Sequence, residues 1–211
     1  MKNLKREKQK GIIKVCFFAI IVILAGIIYI SYYSLKPLII SNIEVCAENE
    51  FLNITAIELE NIIKENNINY KELANIEKNN NGDIISVSCN TVKLTNIKTE
   101  LIKNIDVYLK KEPEFSFSIP LGNVLNSNLF SGKGPCLKYK YVLSSTINSD
   151  FKSEFKSAGI NQTLHKIVLE LSSDISASMP YITSNINVKS SYILAETVIV
   201  GKIPQSYFSI N

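Results

Sequence analysis

Residues able to do acid–base or nucleophilic chemistry are few and scattered. The chain holds one histidine, His165. It stands in phase with Ile167 and Leu169 of an alternating run, so it reads as a strand-end or partly buried histidine. One imidazole without a second ligand at recognisable spacing does not make a zinc site. The four cysteines are Cys16, Cys46, Cys89 and Cys136, with no C-x-x-C pair. A Cys–His dyad would need Cys46, Cys89 or Cys136 to approach His165 in space, and no spacing points there. Three cysteines outside the N-terminal apolar run, odd in number and far apart, make no disulfide framework. They read as isolated, buried small hydrophobes.

The acids are no better grouped. Glu112 and Glu114 flank Pro113 and face solvent as neighbours, whereas a glycosidase pair comes from separate elements across a cleft. Glu170 and Glu196 lie on long strands, where cross-strand pairing is open to them, and a solvated face is preferred over a site. Ser131-Gly132-Lys133-Gly134-Pro135 has the small residues of a phosphate loop, but lacks the buried strand before it and the helix after it, so it reads as a surface turn. Asn161-Gln162-Thr163 fits a glycosylation acceptor pattern, a short match that carries no site by itself. There is no G-x-S-x-G, S-x-x-K or H-E-x-x-H. The expectation is a chain with no catalytic residue, no cofactor and no metal site, and not an enzyme.

The elements that must position these residues begin with an apolar run. Val15–Tyr33 is nineteen residues without a charge, about 28 Å as a helix against a hydrocarbon core of about 30 Å. Tyr29, Tyr32 and Tyr33 stand where an aromatic belt meets headgroups. A cleaved signal peptide would have a shorter apolar core; here the run passes Ala25-Gly26 and continues. Lys2, Lys5, Arg6, Lys8, Lys10 and Lys14 precede it, against Glu7 alone. The expected organisation is a basic cytoplasmic tail over 1–14, one transmembrane helix over 15–33 and an extracytoplasmic α+β domain over 34–211. The N-terminus lies inside by the positive-inside bias.

Charge also excludes a partner class. The chain is +4 overall, but its first fourteen residues carry +5 and the remainder −1. A near-neutral domain is a poor binder of phosphate backbone, so no nucleic acid is expected. The tail adds attraction to anionic lipid, about 1 kcal/mol per basic residue near the surface.

Within the domain, Pro37 reads as a kink or a fresh helix start. Ile39, Ile43, Cys46, Ala47, Phe51, Ile54, Ile57 and Ile62 recur at helical spacing up to Asn66-Asn67. Leu73 and Ile76, Asn79-Asn80-Asn81-Gly82 and Ile84–Ser88 form a hairpin around an Asn-Gly turn. Thr91–Lys111 is a helix with Leu94, Ile97, Leu101, Ile105, Tyr108 and Leu109 inward. Phe115, Phe117 and Ile119 alternate as a strand, followed by a loop from Pro120 to Pro135 with the best candidate sub-boundary at 122–135. Leu137–Leu143 is a strand. Ser149-Asp150 reads as the cap of a short helix with Phe151, Phe155 and Ala158 inward, ended by Gly159. Two long strands close the pattern, bending at Met179-Pro180-Tyr181. The expected order is α-β-β-α-β, then β-α-β-β.

Four segments in this order resemble one family. They are Ile76-Glu77-Lys78-Asn79-Asn80-Asn81-Gly82, Phe117-Ser118-Ile119-Pro120-Leu121-Gly122-Asn123, Ala158-Gly159-Ile160-Asn161-Gln162-Thr163-Leu164-His165 and Gly201-Lys202-Ile203-Pro204-Gln205-Ser206-Tyr207. Behind one N-terminal span, they resemble the sporulation protein YunB family of endospore-forming bacteria, over roughly 38–207. The resemblance implies expression in the mother cell during sporulation and a contribution to forming a proper spore. It implies no activity and no catalytic residue. The expected role is an anchored assembly or scaffold protein, with the bilayer and proteins of the sporulation envelope as partners and a homo-oligomer compatible. The alternatives are a spore peptidoglycan enzyme, with His165, Glu170 and Glu196 as first suspects, and a glycan-binding module. A cleft with facing carboxylates would favour the enzyme; a long open strand edge would favour assembly.

Mass spectrometry of the unreduced protein is expected to find Cys46, Cys89 and Cys136 unlinked; a stoichiometric bridged pair would contradict the cysteine reading.

Overall fold

The computed structural model describes residues 2–125, 129 and 131–201, with the backbone alone for 2–16, 27, 28, 30–32, 34, 124 and 125. Helix α1 is Lys2–Glu65, α2 is Tyr70–Leu73 and α3 is Thr91–Lys111. The strands are β1 (Ala74–Lys78), β2 (Ile84–Cys89), β3 (Glu114–Pro120), β4 (Cys136–Gly159), β5 (Gln162–Met179) and β6 (Ile182–Val200), with a 3-10 turn at Leu121–Leu125. β1 and β2 form a hairpin; the other four strands form a sheet in the order β3-β4-β5-β6. The fold is α+β.

Two compact units arise, Met1–Ile43 with Ser116–Lys140, and Glu44–Phe115 with Tyr141–Asn211. In the first, Ile39, Ile43, Phe117 and Ile119 are buried, and the Phe117 and Tyr139 rings stack at 5.4 Å. Leu121 N–H donates to the Pro135 carbonyl and Gly122 N–H to that of Lys133, closing the 122–135 loop.

The second unit is organised by β5. Seven alternate residues, His165, Ile167, Leu169, Leu171, Ser173, Ile175 and Ala177, are buried. Period-two alternation puts them on one face of the strand. Antiparallel pairing carries the pattern outward: Phe151 and Tyr192 flank Leu169, Ser149 and Ser190 flank Leu171. The opposite face is polar along two rows, Thr146, Asp174 and Asn187 in one and Asp150, Glu170 and Ser191 in another, while Val168 between Lys152 and Ile193 is a buried apolar residue on that face. One dry face and one wet face is the usual economy of an antiparallel sheet. α1 contributes buried Ala47, Phe51, Ile54, Leu59 and Ile62, and α3 contributes Leu94, Ile97, Leu101, Ile105 and Leu109. Ser184 Oγ donates to Glu44 Oε1 at 2.6 Å, joining β6 to α1.

Several expectations require correction. The short helix expected after Ser149 is strand: β4 continues to Gly159 and pairs with β5 from Val142 onward. Ser149, Phe151, Ser153, Phe155 and Ser157 alternate, and pairing along the whole of β5 outweighs one turn of local helix capping. Asp150 does accept from the Phe151 N–H, at 2.8 Å, but within a strand. The second half is therefore strand after strand, with no helix between. Pro37 starts no new helix, because α1 runs through it; a proline inside a helix removes one hydrogen bond and costs about 3 kcal/mol, which a helix continuing far on both sides can absorb. Ile57 is exposed, and Leu59 takes the inward place. Cys136 is exposed at the start of β4, while Cys46 and Cys89 are half-buried free thiols.

Among the described residues no helix is long and apolar enough to cross a membrane. Much of the apolar run expected to do so, the side chains of Val15, Cys16, Ile27, Ile28, Ile30, Ser31 and Tyr32, lies outside the described residues, as do those of the basic tail.

Leu169 is fully buried between Phe151 and Tyr192. Leu169→Ala is expected to destabilise the domain by about 2–5 kcal/mol, read from the midpoint of urea unfolding. A change under about 0.5 kcal/mol would contradict the one-face core.

Candidate functional site

The turn joining β4 to β5 brings the one histidine into a polar cluster. Gly159 has φ of 143° and Asn161 of 61°, conformations that Gly and Asn tolerate best. The turn sets Phe155 directly opposite His165. The two rings stack at 4.3 Å with 13° between planes. His165 is fully buried.

Both imidazole nitrogens are engaged. Nδ1 lies 2.5 Å from Tyr70 Oη, and Nε2 lies 2.7 Å from Ser153 Oγ. Tyr70 is the first residue of α2, whose N-cap Asn69 accepts from the Lys71 N–H. Three elements thus meet on one ring: α2 through Tyr70, β4 through Ser153, and β5 through the histidine itself. Each neutral tautomer fits, since either hydroxyl serves as donor while the other accepts. Burial holds the His165 pKa below the usual histidine value, because the charged ring loses hydration. Burial also raises the Tyr70 pKa, with Cys89 as a smaller cause.

A serine, a histidine and a third orienting group resemble a nucleophile relay. The setting differs. Ser153 lies mid-strand opposite Ile167, not on the sharp strand-to-helix turn that presents a serine nucleophile. Phe155 covers one face of the ring. What the arrangement does directly is fasten α2 to the sheet through a neutral imidazole.

The acids are separate from this cluster and from each other. Glu170 pairs with Lys152 at 2.5 Å and Glu196 with Lys166 at 3.0 Å. Glu170 is opposite Ser191, not Glu196, so the two acids are not cross-strand neighbours. The bond to Glu170 is the main reason the Lys152 pKa is raised. Glu112 caps α3, its N–H donating to the Tyr108 carbonyl, and Glu114 opens β3. In the Ser131–Pro135 turn, the Gly132 N–H donates to Asn123 Oδ1 at 2.7 Å, so that amide is engaged within the loop. Among the described residues no cluster of three His, Cys, Asp or Glu could hold a metal.

Two resembling segments meet at the β4–β5 turn, where the Gly201 N–H donates to the Asn161 carbonyl at 2.7 Å. A cavity of about 360 Å³ lies beside them, also lined by Gly82, Asp83, Thr163 and Ile199. Lys202–Tyr207 of the last segment lie outside the described residues. Tyr70 and Ser153 escaped the sequence reading. The first follows a helix break with no pattern of its own. The second sits behind the Ser149-Asp150 helix-cap signal, although its alternation with Phe151 and Phe155 carries the strand signal.

A lowered histidine pKa has a definite sign. Between the folded value and the unfolded value of about 6.5, the unfolded chain binds the extra proton, so stability falls as pH falls. Unfolding followed from pH 7.5 to 5.5 is expected to show this loss, and His165→Gln to remove that part of the slope. Tyr70→Phe is expected to cost about 1–3 kcal/mol by leaving Nδ1 without its partner. An unchanged slope in the glutamine variant would overturn the assignment.

Residues 116–206 match the family model described as sporulation protein YunB. Over 184 residues the chain is 21% identical to the sporulation protein YunB of Bacillus subtilis (strain 168), covering 82% of this chain and 72% of that protein. No solved structure matches. The family model and the relative agree, and the chain is similar to the sporulation protein YunB family over residues 116–206.

Proposed function

We propose that this chain is a membrane-anchored, non-catalytic assembly factor in spore formation. Similarity to the sporulation protein YunB family supports the role in sporulation. The anchor reading rests on the length of Val15–Tyr33 and the basic tail before it. It is supported by α1, where Phe17, Phe18, Ile20, Ile21, Val22, Ile23 and Leu24 are all exposed. Seven large apolar side chains in eight positions cover every side of a helix, a surface suited to lipid and ill suited to water. The N-terminus is inside and the α+β domain outside.

The observation that carries the assembly reading is the edge of the sheet. Among the described residues β6 is the end strand, nineteen residues long. At about 3.3 Å per residue it offers roughly 60 Å of backbone donors and acceptors on its free side. Most proteins shorten or charge such an edge, because it templates pairing with another chain. From Ile182 to Ala195 there is one charge, Lys189, and no proline. The Ser153–His165 contact favours a hydrolytic alternative, but the acids it would need as partners are bound to lysines on the wet face.

Three tests separate these readings. Protease added outside intact cells should remove the domain and leave the tail with the span; a mature N-terminus near Gly26 would refute the anchor. Sporulation should persist in His165→Gln, Glu170→Gln and Glu196→Gln cells at normal protein abundance, and abolition by any one would favour the enzyme. Asn185→Lys with Asn187→Lys, which charges the open edge without touching the core, should lower the yield of heat-resistant spores at unchanged protein abundance.

A further inference from the structure

We propose that the occupant of the β6 edge is β6 of a second copy of this chain, paired antiparallel about a two-fold axis through the segment Ile182–Ile193. The inference rests on the assembly reading and names its partner.

The sheet has two long sides, and they are built differently. On one side β4 extends far beyond the seven-residue β3. That strand is guarded. Lys98 of α3 donates from Nζ to the Ser149 carbonyl at 2.5 Å, and Asp150, Lys152, Glu154 and Lys156 place alternating charges along the wet face beyond it. Lysines and charges at an edge are what block strand addition. On the other side, β6 carries none of these devices before its bulge. The register between β5 and β6 shifts so that Ile167 faces Ala195 while Val168 faces Ile193. Leu194 is the extra residue, and it is buried. A bulge bends and twists a strand and ends a straight pairing surface. The open stretch is therefore Ile182–Ile193.

This stretch suits itself. Its wet face carries Thr183, Asn185, Asn187, Lys189 and Ser191, uncharged but for one lysine. Amide and hydroxyl side chains both donate and accept, so two copies meet without an unmatched group. Parallel in-register pairing would stack Lys189 on Lys189; antiparallel pairing separates them in every register not centred there. Two-fold pairing is also the commonest way for identical subunits to associate. An anchor confining all copies to one membrane raises their effective concentration. The axis stands perpendicular to the sheet, so the wet faces of the two copies continue as one surface.

Such a pair has a numerical signature. In an antiparallel pair, residue i of one copy opposes residue j of the other, and i plus j is constant. A step of two residues on one copy moves a facing pair apart by about 6.7 Å along the strand, and a disulfide needs Cα atoms within about 7 Å. Single cysteines placed at Thr183, Asn185, Asn187, Lys189 and Ser191, in a full-length chain with Cys16, Cys46, Cys89 and Cys136 replaced by Ser, are to be oxidised in membranes alone and as differently tagged mixtures. Each position is expected to bridge to one partner position, with the two numbers summing to the same value throughout. Bridging of every position to its own equivalent would mean parallel stacking and would overturn the proposal. Absence of bridges between copies would also overturn it. If the doubly lysine-substituted edge still lowers spore yield in that last case, assembly stands and the edge serves a different protein.

Discussion

The second unit depends on one constraint: every other side chain of β5 must be dry. A strand has only two faces, and register alone decides which set of residues each face receives. Because β4 and β6 pair with β5 along nearly its whole length, the choice made by Ile167, Leu169, Leu171 and Ile175 dictates the inward residues of both neighbours. Slipping either neighbour by one residue would bury Lys152 or Lys189 and expose Phe151 or Val188. The same constraint leaves the outer face free to be polar, and it explains why Glu170 and Glu196 sit beside lysines in water and not in a cleft.

His165 is where that constraint meets a group that resists it. An imidazole in phase with the core must give up hydration, and it stays neutral by doing so. The loss is offset by two hydroxyls drawn from α2 and β4. Polar groups buried with their partners in place restrict how elements dock, more than they add stability. The cluster fixes α2 against the sheet at the end where the β4–β5 turn, the start of β2 and the end of β6 line a common cavity.

Much of the fold was legible because its signals are periodic. The α3 stripe, the Asn-Gly hairpin and the alternation of β5 follow from spacing alone, and they place His165 on the correct strand face. The segment after Ser149 was not legible from local rules. Ser-Asp before an apolar pair suits a helix cap and Gly159 suits a helix end, and the same residues suit a strand closing on a tight turn. Only the partner strand decides between them, and it lies beyond the window in which capping is read. The cluster of Tyr70, His165 and Ser153 was hidden by that same choice, since it exists only when Phe155 stands opposite His165. The unguarded edge was invisible for another reason: which strand ends a sheet is a property of topology, not of any segment.

The three long strands are neighbours in sequence, joined by turns of about two residues at Ile160-Asn161 and Pro180-Tyr181. Such a sheet closes like a zipper, each hairpin growing outward from its turn with little loop to gather in. The order of closure carries a hazard and its remedy. Until β6 has laid itself against β5, β5 is itself an outer strand whose backbone groups another chain can pair with. The short turn between them delivers β6 to that edge as an intramolecular event with almost no loop to close, so the strand next in the chain outruns any stranger and the vulnerable moment is brief.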